Sequence, residues 1–437
     1  MTTPAVAGPV LPKLPTTSDN KRLADYRANL AFYNGTQWAG RRPGDRSKRL
    51  TFNYARAFID KISGYVTQGT LLAVLPPSDA DAARSAAQAA EEALRQVAED
   101  NSLTRLDFDT EIDTAVLGDG AFKLTWANER VHITAPDMQT IFVWTDPADL
   151  TKPVRVAHRY KLGSGPTITE DWTDTTVEIW ADQALVSSDP NPYGFIPFVI
   201  FPNVPVPKQW WGLSDITPIK ELAQELNASI TRLSAILEVS GNPIAVLQGV
   251  EQAEDIAVGP GAVWEIPADA KAYLLDLLQG GGVRLHIDYI DALYRILHDL
   301  SEVPRAAFAG IDKQLSGVAL EIELRPLIMK VERKRLIRHA AYAQRARMAL
   351  ALLDQNTGTN HTNAGRVAVI GAEPVLPPDK SMDAGRETAI VAAGLSSRVA
   401  SMGRLGADDP TAEFDRIKQE SRELAEIGST TPAPPQT

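Results

Sequence analysis

Apolar residues recur every three or four positions along two long stretches of the chain. In the first, Ile219, Leu222, Leu226, Ile230, Leu233 and Leu237 mark one helix face, and Gly241-Asn242-Pro243 stops it. Thr217 is placed to cap that helix and Pro218 to open it, over about 216–240. In the second, roughly Gly317 to Asp354, Leu320, Leu324, Leu327 and Val331 share a face. Pro326 falls inside it, and an interior proline removes a hydrogen bond at a cost of about 3 kcal/mol, so a kink is expected. Between the two, a helix over about 284–302 carries His286, Ile290, Leu293, Leu297 and Leu300 on one side before Pro304 ends it.

The first third is helical in pattern. Leu23, Tyr26, Leu30 and Tyr33 keep helical spacing up to a break at Asn34-Gly35, and Phe58, Ile62 and Tyr65 or Val66 do so up to Gly69. An Ala-rich surface helix follows over 79–100. From Ala121 to about Phe201 the period changes to that of short strands, at 122–126, 130–133, 154–157, 176–180 and 198–201, with Pro and Gly between them. No helix-length segment separates these strands, so an antiparallel, β-rich region is expected. Residues 243–282 are mixed, with strand-like 244–247 and 262–266 before Gly280-Gly281-Gly282. Residues 366–378 read as a strand and a Pro-rich loop. The chain then returns to helices, the last capped by Asp409 and opened by Pro410, with Phe414, Ile417, Ser421 and Leu424 as its inner stripe.

Composition narrows the classes. The 437 residues exceed the size at which one core stops growing, so more than one packed unit is expected. With 44% hydrophobic and 23% charged residues the chain is globular in character, and the absence of cysteine excludes disulfides and thiolate metal sites. No apolar run approaches the ~18 residues that span a bilayer, so membrane insertion is not expected. Met1 to Ser18, rich in Pro and Thr, lacks the basic start and apolar core of a secretory signal and reads as a flexible arm. A net charge of -11 argues against gripping nucleic acid over the whole surface, though not against letting DNA slide past, and it is equally the charge of an ordinary acidic protein.

Candidate chemistry is sparse. The six histidines form no His-Glu-x-x-His pair, and no Gly-x-x-x-x-Gly-Lys-Ser/Thr is present, so neither zinc hydrolysis nor ATP hydrolysis is expected of the chain. Gly280-Gly281-Gly282 lacks the lysine of a phosphate loop and reads as a hinge. Asp107, Asp109, Glu111 and Asp113 spread around a helix with no partnering histidine, which favours a solvated acidic face over a metal site. Lys330, Arg333, Lys334, Arg335 and Arg338 leave two readings open, phosphate contact or pairing with acids of a neighbouring subunit, beside the solvated or salt-bridged face that a charge run on a helix usually is. Arg41, Arg42, Arg46, Lys48 and Arg49 read as an exposed loop. Trp210 and Trp211, beside Pro205 and Pro207, read as wedges under the helix that follows rather than as base-stacking platforms.

Four local words then carry a resemblance. They are Tyr33-Asn34-Gly35 followed by Asn53 and by Ile59-Asp60 through Gly69; Trp211-Gly212-Leu213-Ser214-Asp215-Ile216 ahead of the first long helix; Ser316-Gly317-Val318-Ala319-Leu320 ahead of the second; and Gly394-Leu395-Ser396-Ser397 with Asp408, Asp409 and Glu413. In that order, over most of residues 20–427, the chain resembles the portal proteins of tailed double-stranded-DNA phages, of the siphophage type. The resemblance implies an α+β, mainly α portal fold assembled as a ring-shaped homo-oligomer. A flexible arm (1–18) would precede a wing (19–215, β-rich over 121–201), and stem helices (216–240 and 284–302) would flank a small α/β clip (241–283). A tunnel loop (303–316), a kinked tunnel helix (317–354), a return strand and loop (355–380), a helical crown (381–427) and a disordered tail (428–437) would follow. The long arm and short C-terminal end depart from the family pattern.

The same resemblance implies a role without catalysis, cofactor or metal: a DNA channel at one capsid vertex, assembled in the bacterial cytoplasm and carried in the virion. Lys313, Gln314 and Ser316 would line the channel, and Gln248, Glu251, Trp264 and Glu265 would meet partners at the clip. Pro326 would bend the tunnel helix, and Lys330, Arg333, Lys334 and Arg338 would touch DNA or a neighbouring subunit. The implied partners are further copies in a ring of about twelve, double-stranded DNA, the terminase large subunit, head-completion or tail-adaptor proteins, and the major capsid and scaffolding proteins. The rivals are another virion connector or capsid component, and a metal-dependent nuclease or hydrolase built on Asp107 to Asp113.

Overall fold

A reciprocal cap starts the first helix, α1 (Thr17–Tyr33): Asp19 N donates to Thr16 Oγ1, and Thr16 N donates to Asp19 Oδ2. The computed structural model describes residues 11, 14–36, 50–241, 244–248, 271–275, 282–308, 317–370, 380–407 and 409–429. Asn34 and Gly35 end α1, with Gly35 in the left-handed conformation (φ 71°) that glycine adopts without strain. Asn53 then has two tasks. Its Oδ1 accepts from Arg56 N to cap α2 (Tyr54–Thr67), and its Nδ2 donates to the Tyr33 carbonyl at 2.6 Å. Tyr33 Oη closes the clasp by donating to Asp60 Oδ1 at 2.6 Å.

β1 (Leu71–Leu75), α3 (Asp81–Asp100) and α4 (Leu103–Leu117) lead into the β-rich region. Its strands are β2 (Asp119–Ala127), β3 (Arg130–Thr134), β4 (Ile141–Thr145), β5 (Pro153–Lys161), β6 (Thr167–Trp172), β7 (Thr176–Ala181), β8 (Ala184–Pro190) and β9 (Phe198–Pro202). They form a three-stranded sheet in the order β3-β2-β9 and a five-stranded meander β4-β5-β6-β7-β8, antiparallel throughout. Phe122 opposite Val199 sets the register of the first sheet. The five expected strands lie within β2, β3, β5, β7 and β9. The sequence pattern missed β4, β6 and β8, and β8 shows why: it is exposed along most of its length and carries no alternation to read.

A tight 3₁₀ turn at Thr217–Ile219 precedes α5 (Lys220–Gly241), so Thr217 stands inside the turn and does not cap the helix as expected. β10 (Ile244–Gln248) and β11 (Lys271–Leu275) pair antiparallel, and α6 (Gly282–Ser301) packs on α5. α7 (Gly317–Thr357) runs through Pro326 as one helix, and β12 (Arg366–Ile370) returns to pair with β1. α8 (Lys380–Ala392), α9 (Arg398–Arg404) and α10 (Pro410–Ser429) follow.

The chain divides into two compact units, Met1–Ala372 and Glu373–Thr437. The core of the first joins α3, the β3-β2-β9 sheet and the second half of α7, through Leu94, Phe122, Leu124, Phe201, Tyr342 and Leu350 among others. In the second, Ser397 caps α9 by accepting from Ala400 N, and Asp409 Oδ1 accepts from the amides of Thr411 and Ala412 at the start of α10. Hydrogen bonds from Arg404 hold the Glu387 carboxyl down to about 2.

Candidate functional site

The segment ahead of α5 joins the β-rich region to the long helices, and each of its residues has a separate task. Gly212 lies so close to the Gly118 carbonyl that a Cβ there would stand 2.6 Å from it. Its amide donates to Asp119 Oδ1 at 2.8 Å, and the Leu213 carbonyl accepts from Asn203 Nδ2 at 3.0 Å. Ser214 Oγ donates to the Ala115 carbonyl and accepts from Ile216 N, each at 3.0 Å. Asp215 N also donates to Ala115 O, and the Ile216 side chain is fully buried. The Trp-Gly-Leu-Ser-Asp-Ile word therefore fastens the end of α4 and the start of β2 to the first long helix.

The Asp215 carboxylate opens a buried charge network. Lys334 Nζ reaches Asp215 Oδ2 at 2.7 Å and Glu111 Oε1 at 2.9 Å, while Lys330 Nζ lies 3.2 Å from Asp215 Oδ1 and donates to Ser301 O at 3.0 Å. Arg338 Nε donates to Glu111 Oε2 at 2.6 Å, and its Nη2 donates to Asn203 Oδ1 at 2.8 Å. About two turns further along α7, Arg345 pairs with Asp107 and stacks on Phe122 at 4.3 Å. Acids four apart on α4 thus meet cations on α7, in a layer where Glu111, Asp215, Lys334 and Arg338 are at most 6% exposed. Burial alone would raise both carboxyls, but the lysines and Arg338 outweigh it and hold Glu111 and Asp215 below the ordinary range. Three cations face two carboxylates, and the carbonyls of Ser301, Pro202 and Asn203 accept the remaining donors.

This corrects two expectations. Lys330, Lys334 and Arg338 are not on a surface open to DNA; the chain's own carboxylates hold them. Arg333 alone of the four predicted contacts is exposed, and it pairs with Glu302 at 2.6 Å. Asp107 and Glu111 are not a solvated face; Asp109 is, pairing with Arg105 at 3.5 Å. A signal existed in the sequence: acids at 107 and 111, and cations at 334, 338 and 345, repeat at helical steps on two helices, but only the fold brings the two rows together.

The remaining predicted residues fall as follows. Pro326 is exposed, and with Tyr294, His298 and Arg305 it borders a cleft of about 510 Å³. Gln248 is exposed at the end of β10. Lys313, Gln314, Ser316, Glu251, Trp264 and Glu265 lie outside the described residues, as do the basic stretch 41–49, the strand expected at 262–266, Gly280 and Gly281, and residues 430–437 of the tail. His286 is half-buried on α6. Trp211 stacks under Arg22 of α1 at 4.0 Å. Beside it Asp119, 1% exposed, accepts from Tyr26 Oη at 2.5 Å; burial pushes its carboxyl up to about 6, against partial lowering by Tyr26, Gly212 and Arg22.

No curated protein matches the chain. Among solved structures, a chain of "Virion of native gene transfer agent (GTA) particle" matches with a TM-score of 0.53 at 13% identity, covering 92% of this chain and 97% of that one. The fold is thus one found in a virion component. The profile described as "Phage portal protein, SPP1 Gp6-like" matches residues 16–426, and the chain belongs to that phage portal family.

Proposed function

We propose that the chain is the repeating subunit of a ring through which double-stranded DNA enters and leaves a phage-type head at one vertex. The observation that carries this reading is a pair of bare apolar stripes. On α6, Leu285, Tyr289, Ile296 and Leu300 fall within about 60° of arc at roughly 100° per residue, and they are 72, 46, 46 and 46% exposed. On α7, Ile322, Met329 and Leu336 stand at seven-residue steps and are 67, 44 and 74% exposed, opposite the buried Leu324, Leu327 and Val331. Stripes of this kind on long helices suit burial against flanking copies, which a closed ring supplies on both sides.

In this reading α5 and α6 are the stem, β10 and β11 belong to the clip, and α7 is the tunnel helix bent at Pro326. Gln248, Glu251, Trp264 and Glu265 meet the terminase motor during packaging and a head-completion or tail-adaptor protein afterwards. Lys313, Gln314 and Ser316 face the DNA, with Arg333 available to DNA or to a neighbouring subunit. The ring starts head assembly with capsid and scaffolding proteins, retains the packaged genome and releases it at ejection. A net charge of -11 per subunit keeps DNA from sticking along the wall. A different connector or capsid component shares the virion setting. The nuclease reading is weaker, because Asp107 and Glu111 are engaged by Arg345, Lys334 and Arg338.

The deciding experiment is the solution mass by light scattering, with negative-stain images of the same sample. A ring of about a dozen 47.4 kDa subunits around a hole is expected. A single-chain mass at every concentration, with or without scaffolding protein, would sink the reading.

A further inference from the structure

A cleft of about 570 Å³ lies between α1 and the start of α5, walled by Lys21, Arg22 and Asn29 on one side and by Trp211, Leu213 and Lys220 on the other. Its floor is built and polar. Asn29 is 5% exposed, and its carboxamide, which makes no hydrogen bond with any described residue, borders the cleft. A carboxamide offers one acceptor and two donors side by side, the set that reads the C=O and N–H of an extended backbone. The charged groups bordering the cleft balance: Lys21, Arg22 and Lys220 against Asp25, Asp119 and Glu221. A charged ligand gains nothing there. Leu213, 43% exposed, and the half-buried Trp211 add apolar wall.

We propose that this cleft is the docking site of the chain's own N-terminal segment, residues 2–12. That segment, Thr-Thr-Pro-Ala-Val-Ala-Gly-Pro-Val-Leu-Pro, carries no charge, matching the balanced cleft. Its prolines favour the extended polyproline conformation, in which backbone groups find no partners within the segment and remain free for a side chain such as Asn29. Reach is sufficient. Eleven residues extend roughly 34 Å at about 3.1 Å each, whereas α1 rises roughly 16 Å from Ser18 to Asn29 at about 1.5 Å per residue. The chain bends at Leu14 and Pro15, next to the first cleft residue, Ser18, and Arg159 Nη1 anchors the bend by donating to Leu14 O at 2.9 Å. Attachment to the same molecule gives the segment a high effective concentration at the cleft. Docked there, it straps α1 to the root of the first long helix, and this holds whether or not the chain forms a ring.

Because the natural chain has no cysteine, an engineered pair reports docking cleanly. In full-length Ala7→Cys/Lys21→Cys, mild oxidation is expected to form a disulfide within one chain; an Ala7→Cys/Arg84→Cys control, with Arg84 exposed on α3 away from the cleft, is expected not to. A disulfide joining two chains would overturn the assignment to the same molecule, and equal cross-linking in the control, or none in either, would overturn docking. A second measurement needs no cross-link. A peptide of residues 1–13 added to protein lacking those residues is expected to change tryptophan fluorescence saturably, with Asn29→Ala weakening it roughly five- to tenfold. Equal affinity with and without Asn29 would place the peptide elsewhere and refute the site.

Discussion

Arg338 Nε donates to Glu111 Oε2 across 2.6 Å, although the two residues stand 227 positions apart and neither side chain is more than 1% exposed. A buried pair of this kind adds little over well-packed apolar residues, but removing one partner leaves a charge under-compensated: Arg338 with neutral acceptors only, or Glu111 with Lys334 alone. Arg338→Met and Glu111→Leu are each expected to lower the unfolding free energy by about 3–5 kcal/mol. The double variant is expected to lose much less than the sum, because it strands neither charge. Urea denaturation of the four proteins tests this, and additive losses would show that the pair is not coupled.

The carboxylates around this junction titrate with opposite signs. Glu111 and Asp215 are held below the ordinary range, so their contribution is full above the unfolded value of about 4 and is lost as pH falls through their folded values. Asp119, raised to about 6 by burial, contributes in the other direction: its share is full below about pH 4 and lost as pH rises through about 6. That loss is worth about 3 kcal/mol. Asp119→Asn keeps an acceptor for Gly212 N while removing the buried charge. It is expected to match or exceed the natural chain at pH 7, with the advantage fading towards pH 4. Denaturation midpoints across pH 4–7.5 decide the matter; a deficit at every pH would mean that the charge itself is needed.

These two relationships also mark what a sequence conveys. The helices α5, α6 and α7 were legible because each buries one face and so keeps a period of three to four, and the clasp of Tyr33 with Asn53 was legible as a word before its geometry was known. Strands β4, β6 and β8 were not, because sheet pairing rather than alternation holds them. The charge network was misread for a physical reason. Burial of Lys334 depends on Glu111 and Asp215 arriving from two other segments, and a row of cations on one helix looks the same whether it meets water or carboxylates. Asn29 gave no signal at all.

Gly212 makes the lead-in to α5 possible by its lack of a side chain. An added Cβ would stand 2.6 Å from the Gly118 carbonyl and 2.7 Å from Pro202 Cβ, and neither belongs to a flexible side chain that can swing aside. Gly212→Ala is expected to destabilise the fold by about 1–3 kcal/mol, the usual cost of overpacking a tight site. Gly194→Ala, at a position with open space, controls for the change in chain entropy, although its left-handed φ of 70° brings a modest strain of its own. Equal losses in the two variants would show that the Gly118–Gly212 approach is not what constrains this residue.

The stripe on α7 gives the sharpest separation of folding from assembly. Leu336 is 74% exposed and does not belong to the buried core, so Leu336→Glu is expected to leave monomer stability within about 0.5 kcal/mol of the natural chain. In a ring the same carboxylate is buried once per subunit against a neighbour, and every copy bears the cost of desolvating it. The variant is therefore expected to fold normally and to fail to form rings, read by light scattering beside a thermal melt. Met329→Glu, one heptad earlier on the same stripe, is expected to behave alike. Rings that form unchanged from both variants would show that the stripe is not covered by a neighbouring subunit, and the apolar-face argument for assembly would fail with it.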